Sequence, residues 1–238
     1  MFKKKNGMSG KIFYTPMEKY WLRFSNIFFY SCVVVCFLIV AFNVTFSSAT
    51  IIGVSMQPTY NSQWTNSNSP TDTAYYSVTM TPNRGDVIVV DLSFTNDSEY
   101  EKFGIKRLIA TQGDVVEFIG YELYINGEKQ DQSYLRKLDD NKFTISAIVN
   151  GIKYANENWS LIEYNEETCN NNYVKFQVPE GYFFYLGDNR VASYDCSAYG
   201  PQKNENLLAK IAFVVPYNTN LVSYLWQSFC NLFKQVQT

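Results

Sequence analysis

From residue 26 to residue 46 the chain carries no charge, and from Ile27 onward it is almost uniformly apolar. At about 1.5 Å per residue a helix of that length spans roughly 30 Å, the hydrocarbon thickness of a bilayer. The stretch predicts a membrane-spanning helix over 26–46. A cleaved secretory signal ending near Ser47-Ser48-Ala49 is the competing reading, but the apolar run exceeds the usual length of about 7–15 residues and follows a long polar leader. Beyond it the pattern changes to short runs of β-branched and aromatic residues at 86–90, 105–110, 114–118, 122–125, 182–186 and 210–215, bounded by Gly, Asn or Pro. Asn83-Arg84-Gly85-Asp86 and Gln112-Gly113-Asp114 read as turns feeding strands, and Asn126-Gly127 as a hairpin. The pattern predicts a mainly β fold, with coiled antiparallel sheets forming a partly closed barrel-like core, a small inserted cap region and one N-terminal transmembrane helix.

Two stretches read as inserted. One is 61–81, rich in Asn, Ser and Thr; the other is 128–175, where charged and Asn-rich loops alternate with short strands such as 143–145. The expected division is a basic leader at 1–25, an anchor at 26–46, a β core at 47–127 and 176–218, a cap or subdomain at 128–175 and an amphipathic tail at 219–238. In the tail Leu221, Leu225, Phe229 and Leu232 fall near one helical face. Such a face packs on the barrel or lies on a membrane, and the segment is too short and polar to span one.

A net charge of -2 conceals an asymmetry. Lys3, Lys4, Lys5, Lys11, Lys19 and Arg23 against Glu18 give residues 1–25 a charge of +5, and the chain beyond 46 carries -7. By the positive-inside rule the amino terminus is expected in the cytoplasm and the bulk of the chain outside, as in a single-pass protein of the cell membrane. Basic residues do not cluster outside the leader, so no nucleic-acid partner is expected. Of five cysteines, only Cys169 and Cys196 can meet in the exterior part, and their spacing allows a bridge without implying one. The chain has no histidine, which excludes a Ser-His-Asp triad or a histidine-ligated metal site within it. No metal and no cofactor is expected.

If the chain is a hydrolase, its base must therefore be something other than imidazole. In Gly53-Val54-Ser55-Met56-Gln57-Pro58-Thr59, the glycine relieves crowding before Ser55 and Pro58 stiffens the chain after it. Taken alone, an ordinary hydrogen-bonded loop serine fits this segment equally well. Lys106 lies in an apolar strand, on the same side as Leu108 and opposite Ile105 and Arg107. Burial disfavours an ammonium and lowers its ordinary pKa of about 10.4, turning the amine into a base that serves near neutrality. A lysine snorkelling from the edge of a sheet is the plainer alternative.

Those segments, together with Asn83-Arg84-Gly85-Asp86-Val87-Ile88-Val89, Ile105-Lys106-Arg107-Leu108-Ile109-Ala110-Thr111-Gln112-Gly113-Asp114 and Gly187-Asp188-Asn189-Arg190-Val191-Ala192-Ser193-Tyr194-Asp195, resemble the ordered motifs of bacterial type I signal peptidases. The resemblance covers the anchor and most of the exterior core, but neither insertion nor the tail. It implies a membrane-bound serine endopeptidase that removes N-terminal signal peptides after small residues, with Ser55 as nucleophile and Lys106 as general base. It places Ser193 where the family has a serine that orients the lysine amine, and Asp195 and Asp188 on supporting acidic positions, with Arg107 as an ion-pair partner. The partners it implies are secretory preproteins, the lipid bilayer and, by proximity, the protein-translocation machinery. Residues 48–54 and the chain near Phe103 and Gly104 are the expected edge for an extended substrate.

The chain departs from the family pattern twice. Gly53 stands where some members carry a serine that helps bind the oxyanion, and Asp195-Cys196-Ser197 replaces a common Asp-Ser-Arg, so that Arg107 is expected to neutralise Asp195 as well. Two other readings compete. A Ser-Lys self-cleaving repressor would need a DNA-binding domain where residues 1–46 have no room for one. A membrane-anchored, non-enzymatic β-domain binding envelope partners would leave Ser55 and Lys106 fortuitous.

Overall fold

The computed structural model describes residues 15–95, 102–120, 122–135, 140–159, 167, 169–170 and 172–235. The basic residues Lys3, Lys4, Lys5 and Lys11, and the side chain of Leu232, lie outside this set. The chain divides into two compact units, 1–46 and 47–238.

Among its described residues the first unit holds one helix, α1 (Pro16–Thr45), which starts ten residues before the expected anchor at 26–46. The extension has a local cause. Thr15 accepts a hydrogen bond from the Glu18 amide while Glu18 reaches back to the Thr15 amide, and Pro16 fits the first helical position, where no N–H is required. This Thr-x-x-Glu box is a sequence signal that the apolar pattern alone overlooks. Nothing in α1 is buried, and it is long and apolar enough to cross a membrane.

Among its described residues the second unit holds twelve strands: β1 (Ser47–Thr50), β2 (Thr73–Ser77), β3 (Val87–Asp91), β4 (Phe103–Thr111), β5 (Val115–Ile119), β6 (Glu122–Ile125), β7 (Glu128–Lys129), β8 (Cys169–Asn170), β9 (Tyr173–Gln177), β10 (Tyr182–Leu186), β11 (Gln202–Lys203) and β12 (Leu207–Val215). Helix α2 (Asp140–Trp159) lies between β7 and β8, the short α3 (Cys196–Tyr199) between β10 and β11, and α4 (Leu221–Gln235) follows β12. All pairings are antiparallel. A seven-stranded sheet runs β1-β2-β12-β3-β4-β10-β11 and curls into a half-barrel, with register shifts in β10 and β12 where it bends. A smaller sheet runs β7-β6-β5-β9-β8. The fold is mainly β, as the alternating runs predict.

The main core lies among β3, β4 and β10, the small sheet and α2, with Phe118, Phe183, Phe184, Tyr185, Ile148 and Ile152 buried. A second cluster of Ile51, Met56, Ala74, Val87 and Ile211 sits under the Ser55 segment.

Two expectations are corrected. The 143–145 stretch is helix, not strand, because Ile145, Ile148, Val149 and Ile152 recur at helical spacing and bury one face of α2. The 61–81 stretch contains β2, an interior strand of the main sheet, held between β1 and β12. Its short Thr-Ala-Tyr-Tyr-Ser sequence is masked by polar flanks.

Candidate active site

Ser55 lies in a turn-rich segment between β1 and β2, held by its main chain. The Asn189 amide donates to the Ser55 carbonyl at 2.9 Å, and the Asn189 side chain donates to the Val54 carbonyl at 3.1 Å. Downstream, Gln57 Nε2 donates to the carbonyls of Asn61 and Trp64. Buried Asn61 exchanges two hydrogen bonds with Asp72, Asn61 N to Asp72 Oδ2 at 2.7 Å and Asp72 N to Asn61 Oδ1 at 2.8 Å, and its own amide donates to the Ile51 carbonyl. Asn61 has φ of 54°, a left-handed conformation that asparagine tolerates better than most residues. Gly53 has φ of 90° and open space where a Cβ would stand. Its backbone, not crowding, demands glycine.

Lys106 occupies the middle of β4, opposite Ile88 of β3, with only 4% of its surface exposed. Burial pushes its amine below the ordinary value, and the neighbouring Asp195 carboxylate opposes this more weakly, followed by Cys196. Ser55 and Lys106 line the same cavity, of about 830 Å³, together with residues 49–54 on one side and Phe103, Gly104 and Ile105 on the other. β10 pairs with β4 only at 107–111, so the described strands leave the 103–106 flank of β4 open on that side. β1 is likewise an edge strand, paired to β2 alone.

The loop after β10 carries Asp188, Ser193 and Asp195, of which Asp195 acts on the charge of Lys106. Asp195 is buried and caps α3, accepting from the Ser197 amide at 2.9 Å and from the Gly187 amide at 2.8 Å. Arg107 pairs with Asp188, not with Asp195: its Nε and Nη2 donate to the two Asp188 oxygens at 2.8 and 2.5 Å, its Nη1 donates to the Gly85 carbonyl, and its guanidinium lies over the Tyr134 ring. Asp195 has no need of that arginine, because two main-chain amides already satisfy it. Thr59 Oγ1 also donates to Asp188, so this ion pair anchors the far end of the Ser55 segment. Ser193 Oγ is buried and has no hydrogen-bond partner among the described residues. A Cβ on Gly187 would stand 2.5 Å from the Ser55 carbonyl oxygen and collide with Ser193 Oγ. Glycine at 187 therefore lets these two segments approach.

Asn61, Asp72, Asn189 and Gly187 escape the sequence reading. Their work is done through main-chain contacts, which residue type alone does not disclose. Cys169 and Cys196 are both buried and form no disulfide, and burial raises the Cys196 thiol well above its ordinary value. Among the described residues no cluster of His, Cys, Asp or Glu is placed to hold a metal ion.

Residues 21–216 match the family described as signal peptidase, peptidase S26. The chain belongs to this family. It is similar to a signal peptidase I of Aquifex aeolicus, 33% identical over 177 residues that make up 60% of this chain and 66% of that protein. It is similar also to a signal peptidase IB of Staphylococcus aureus, 28% identical over 131 residues, 55% of this chain and 59% of that one. The match thus spans just under two thirds of these relatives' length. A crystal structure of a signal peptidase I from Enterococcus faecalis aligns with 56% of this chain and 98% of that one, at 24% identity and a TM-score of 0.34. Within the S26 family match lie all six sequence-predicted site residues: Ser55, Lys106, Arg107, Asp188, Ser193 and Asp195.

Proposed function

We propose that the chain is a type I signal peptidase, a serine endopeptidase that cleaves signal peptides from secretory preproteins with Ser55 as nucleophile and Lys106 as general base. The observation that carries this reading is a lysine, buried to 4% exposure, lining the same cavity as a serine whose main chain is clamped from both sides. In a chain without histidine, a desolvated amine is the fitting proton acceptor.

Neutral Lys106 takes the Ser55 proton as the oxygen attacks the scissile carbonyl. The Ser55 main-chain N–H donates to the oxyanion, and Gly53 contributes no side-chain donor there. Protonated Lys106 then gives its proton to the leaving amine, and the neutral amine activates the water that hydrolyses the ester. Proton transfer of this kind contributes roughly 10² to 10⁴ in rate. Asp195 supports Lys106 from α3, Asp188 with Arg107 fixes the turn beyond Ser55, and Ser193, whose Oγ has no hydrogen-bond partner among the described residues, takes up the amine and orients it as the site engages substrate.

The substrate lies extended along the open flanks formed by residues 50–54 and 103–105, where main-chain pairing supplies affinity and the apolar cavity walls select small side chains. α1 anchors the chain once in the cell membrane, with the basic leader in the cytoplasm and the catalytic unit outside. Preproteins that remain membrane-tethered after crossing then meet the cavity, in the neighbourhood of the translocation machinery. Residues 47–127 and 176–218 form the catalytic core and 128–175 a cap.

The test is incubation of the full-length protein in detergent with a signal-peptide-bearing preprotein, beside Ser55→Ala and Lys106→Met. Site-specific cleavage by the parent alone is expected. Full activity in either variant overturns the dyad, and no cleavage by the parent favours a non-enzymatic envelope domain.

A further inference from the structure

Helix α4 turns its apolar face away from the sheet. Val222, Leu225, Trp226 and Phe229 recur at i, i+3, i+4 and i+7 and are 77%, 42%, 66% and 51% exposed, with the Trp226 and Phe229 rings stacked on each other. This differs from the expected Leu221, Leu225, Phe229 stripe: Leu221 and Tyr224 are half-buried, and the outward stripe is displaced around the helix. Between Leu221 and Asn231 there is no charged residue, and the exposed polar positions are Gln227, Ser228 and Asn231. A water-facing helix of a soluble domain would carry its polar residues where these four stand.

A run of contacts links α4 to the rest of its unit. Tyr224 stacks on Phe213 at 5.7 Å, Phe213 stacks on Tyr75 at 4.8 Å, and Tyr75 stands opposite Ser48 in the pairing of β2 with β1. β1 begins at Ser47, two residues after α1 ends at Thr45. The Tyr217 amide, in the turn leading into α4, donates to Asp72 Oδ1 at 3.2 Å, and the other oxygen of Asp72 accepts from Asn61 in the clamp of the Ser55 segment. α4 is thus tied both to the strand where the chain leaves its membrane-spanning helix and to the loop that bears the nucleophile.

We propose that the Val222, Leu225, Trp226 and Phe229 face of α4 lies in the interfacial zone of the bilayer that α1 spans. The inference rests on the reading of α1 as a membrane anchor and names how the catalytic unit is held against that membrane. The occupant is lipid because the stripe sets a tryptophan and a phenylalanine beside aliphatic residues, the apolar and aromatic face that helices present to the membrane–water interface. Fifteen residues reach only about 22 Å, too short to cross. Through Asp72, a docked α4 sets the height of the Ser55 segment above the lipid.

The test uses the full-length protein in vesicles of phosphatidylcholine and phosphatidylglycerol whose acyl chains are brominated, with retention after alkaline carbonate washing as the control for anchoring. The fluorescence component lost in Trp226→Phe is expected to be quenched by the brominated lipid, and a Val222→Glu/Leu225→Glu variant is expected to lose most of that quenching. The same double variant is expected to raise KM several-fold for a vesicle-inserted preprotein while leaving cleavage of a short water-soluble peptide unchanged. Retention after carbonate with the Trp226 component unquenched overturns the proposal alone, including where shielding of Trp226 rises with protein concentration and so comes from a second copy. Loss of the protein on carbonate washing overturns the anchor reading and this proposal together. Quenching does not require Ser55, so a failure of the proposed dyad leaves it untouched.

Discussion

The Asn189 main-chain amide donates to the Ser55 carbonyl at 2.9 Å, joining the segment of the proposed nucleophile to the loop that carries Asp188, Ser193 and Asp195. The position of Ser55 therefore depends on how closely the two segments approach, and at Gly187 there is no room for a side chain between them. Replacing it tests that dependence. Gly187→Ala inserts a methyl group 2.5 Å from the Ser55 carbonyl oxygen, and forced crowding of this kind costs about 1–3 kcal/mol. The variant is expected to unfold earlier in urea and to lose most of its turnover. Adding Ser193→Ala is expected not to restore it, because the Ser55 carbonyl is main chain and stays in the way.

The Arg107–Asp188 pair is the second determinant of the Ser55 segment. Asp188 is buried and Arg107 largely so, and leaving one partner of such a pair alone costs about 3–5 kcal/mol. Arg107→Met is expected to lower the unfolding free energy by that amount, read from denaturant unfolding. Arg107→Met/Asp188→Leu is expected to recover part of it, since no unpaired charge is left inside. A double variant as unstable as the single would place the cost in lost packing over Tyr134.

Asp195 raises the Lys106 amine against the larger, opposite effect of burial. Asp195→Asn removes that charge and keeps one acceptor oxygen for the Gly187 and Ser197 amides. The amine is then expected to titrate lower still, moving the acidic limb of the cleavage profile to lower pH, while the weakened cap costs about 1–2 kcal/mol. An acidic limb that stays in place would remove Asp195 from the electrostatics of the site.

Burial of Lys106 also has a stability signature. Its folded value lies below 10.5, so between the two values the unfolded chain binds more protons and stability rises with pH. Below the folded value the cost of a buried ammonium is present in full. Lys106→Met is therefore expected to be more stable than the parent at neutral pH, with a gap that closes as pH rises to 10.5. Thermal unfolding at a series of pH values measures it, and a gap independent of pH contradicts the burial argument.

Much of this arrangement is legible in the sequence because it rests on side-chain patterning. Alternation along 105–110 puts Lys106 and Leu108 inside, and the ends of β6 and β10 fall where their β-branched and aromatic runs begin and stop. What escapes is carried by the main chain or by distant partners. β2 is flanked by polar residues that resemble a loop, and α2 hides because its Asn-rich stretch has helical spacing but weak helical composition. The partner of Arg107 is settled by two backbone amides that fill Asp195 first, which no count of charges reveals.

The most direct test of Lys106 as the base acting on Ser55 is the pH dependence of kcat/KM for preprotein cleavage by the full-length protein, since this reports the essential base of the free enzyme. The rate is predicted to rise through a limb below 10.5 and to be lost at every pH in Lys106→Met. A limb at the ordinary lysine value, or a Lys106→Met variant that keeps the parent's profile, would contradict it.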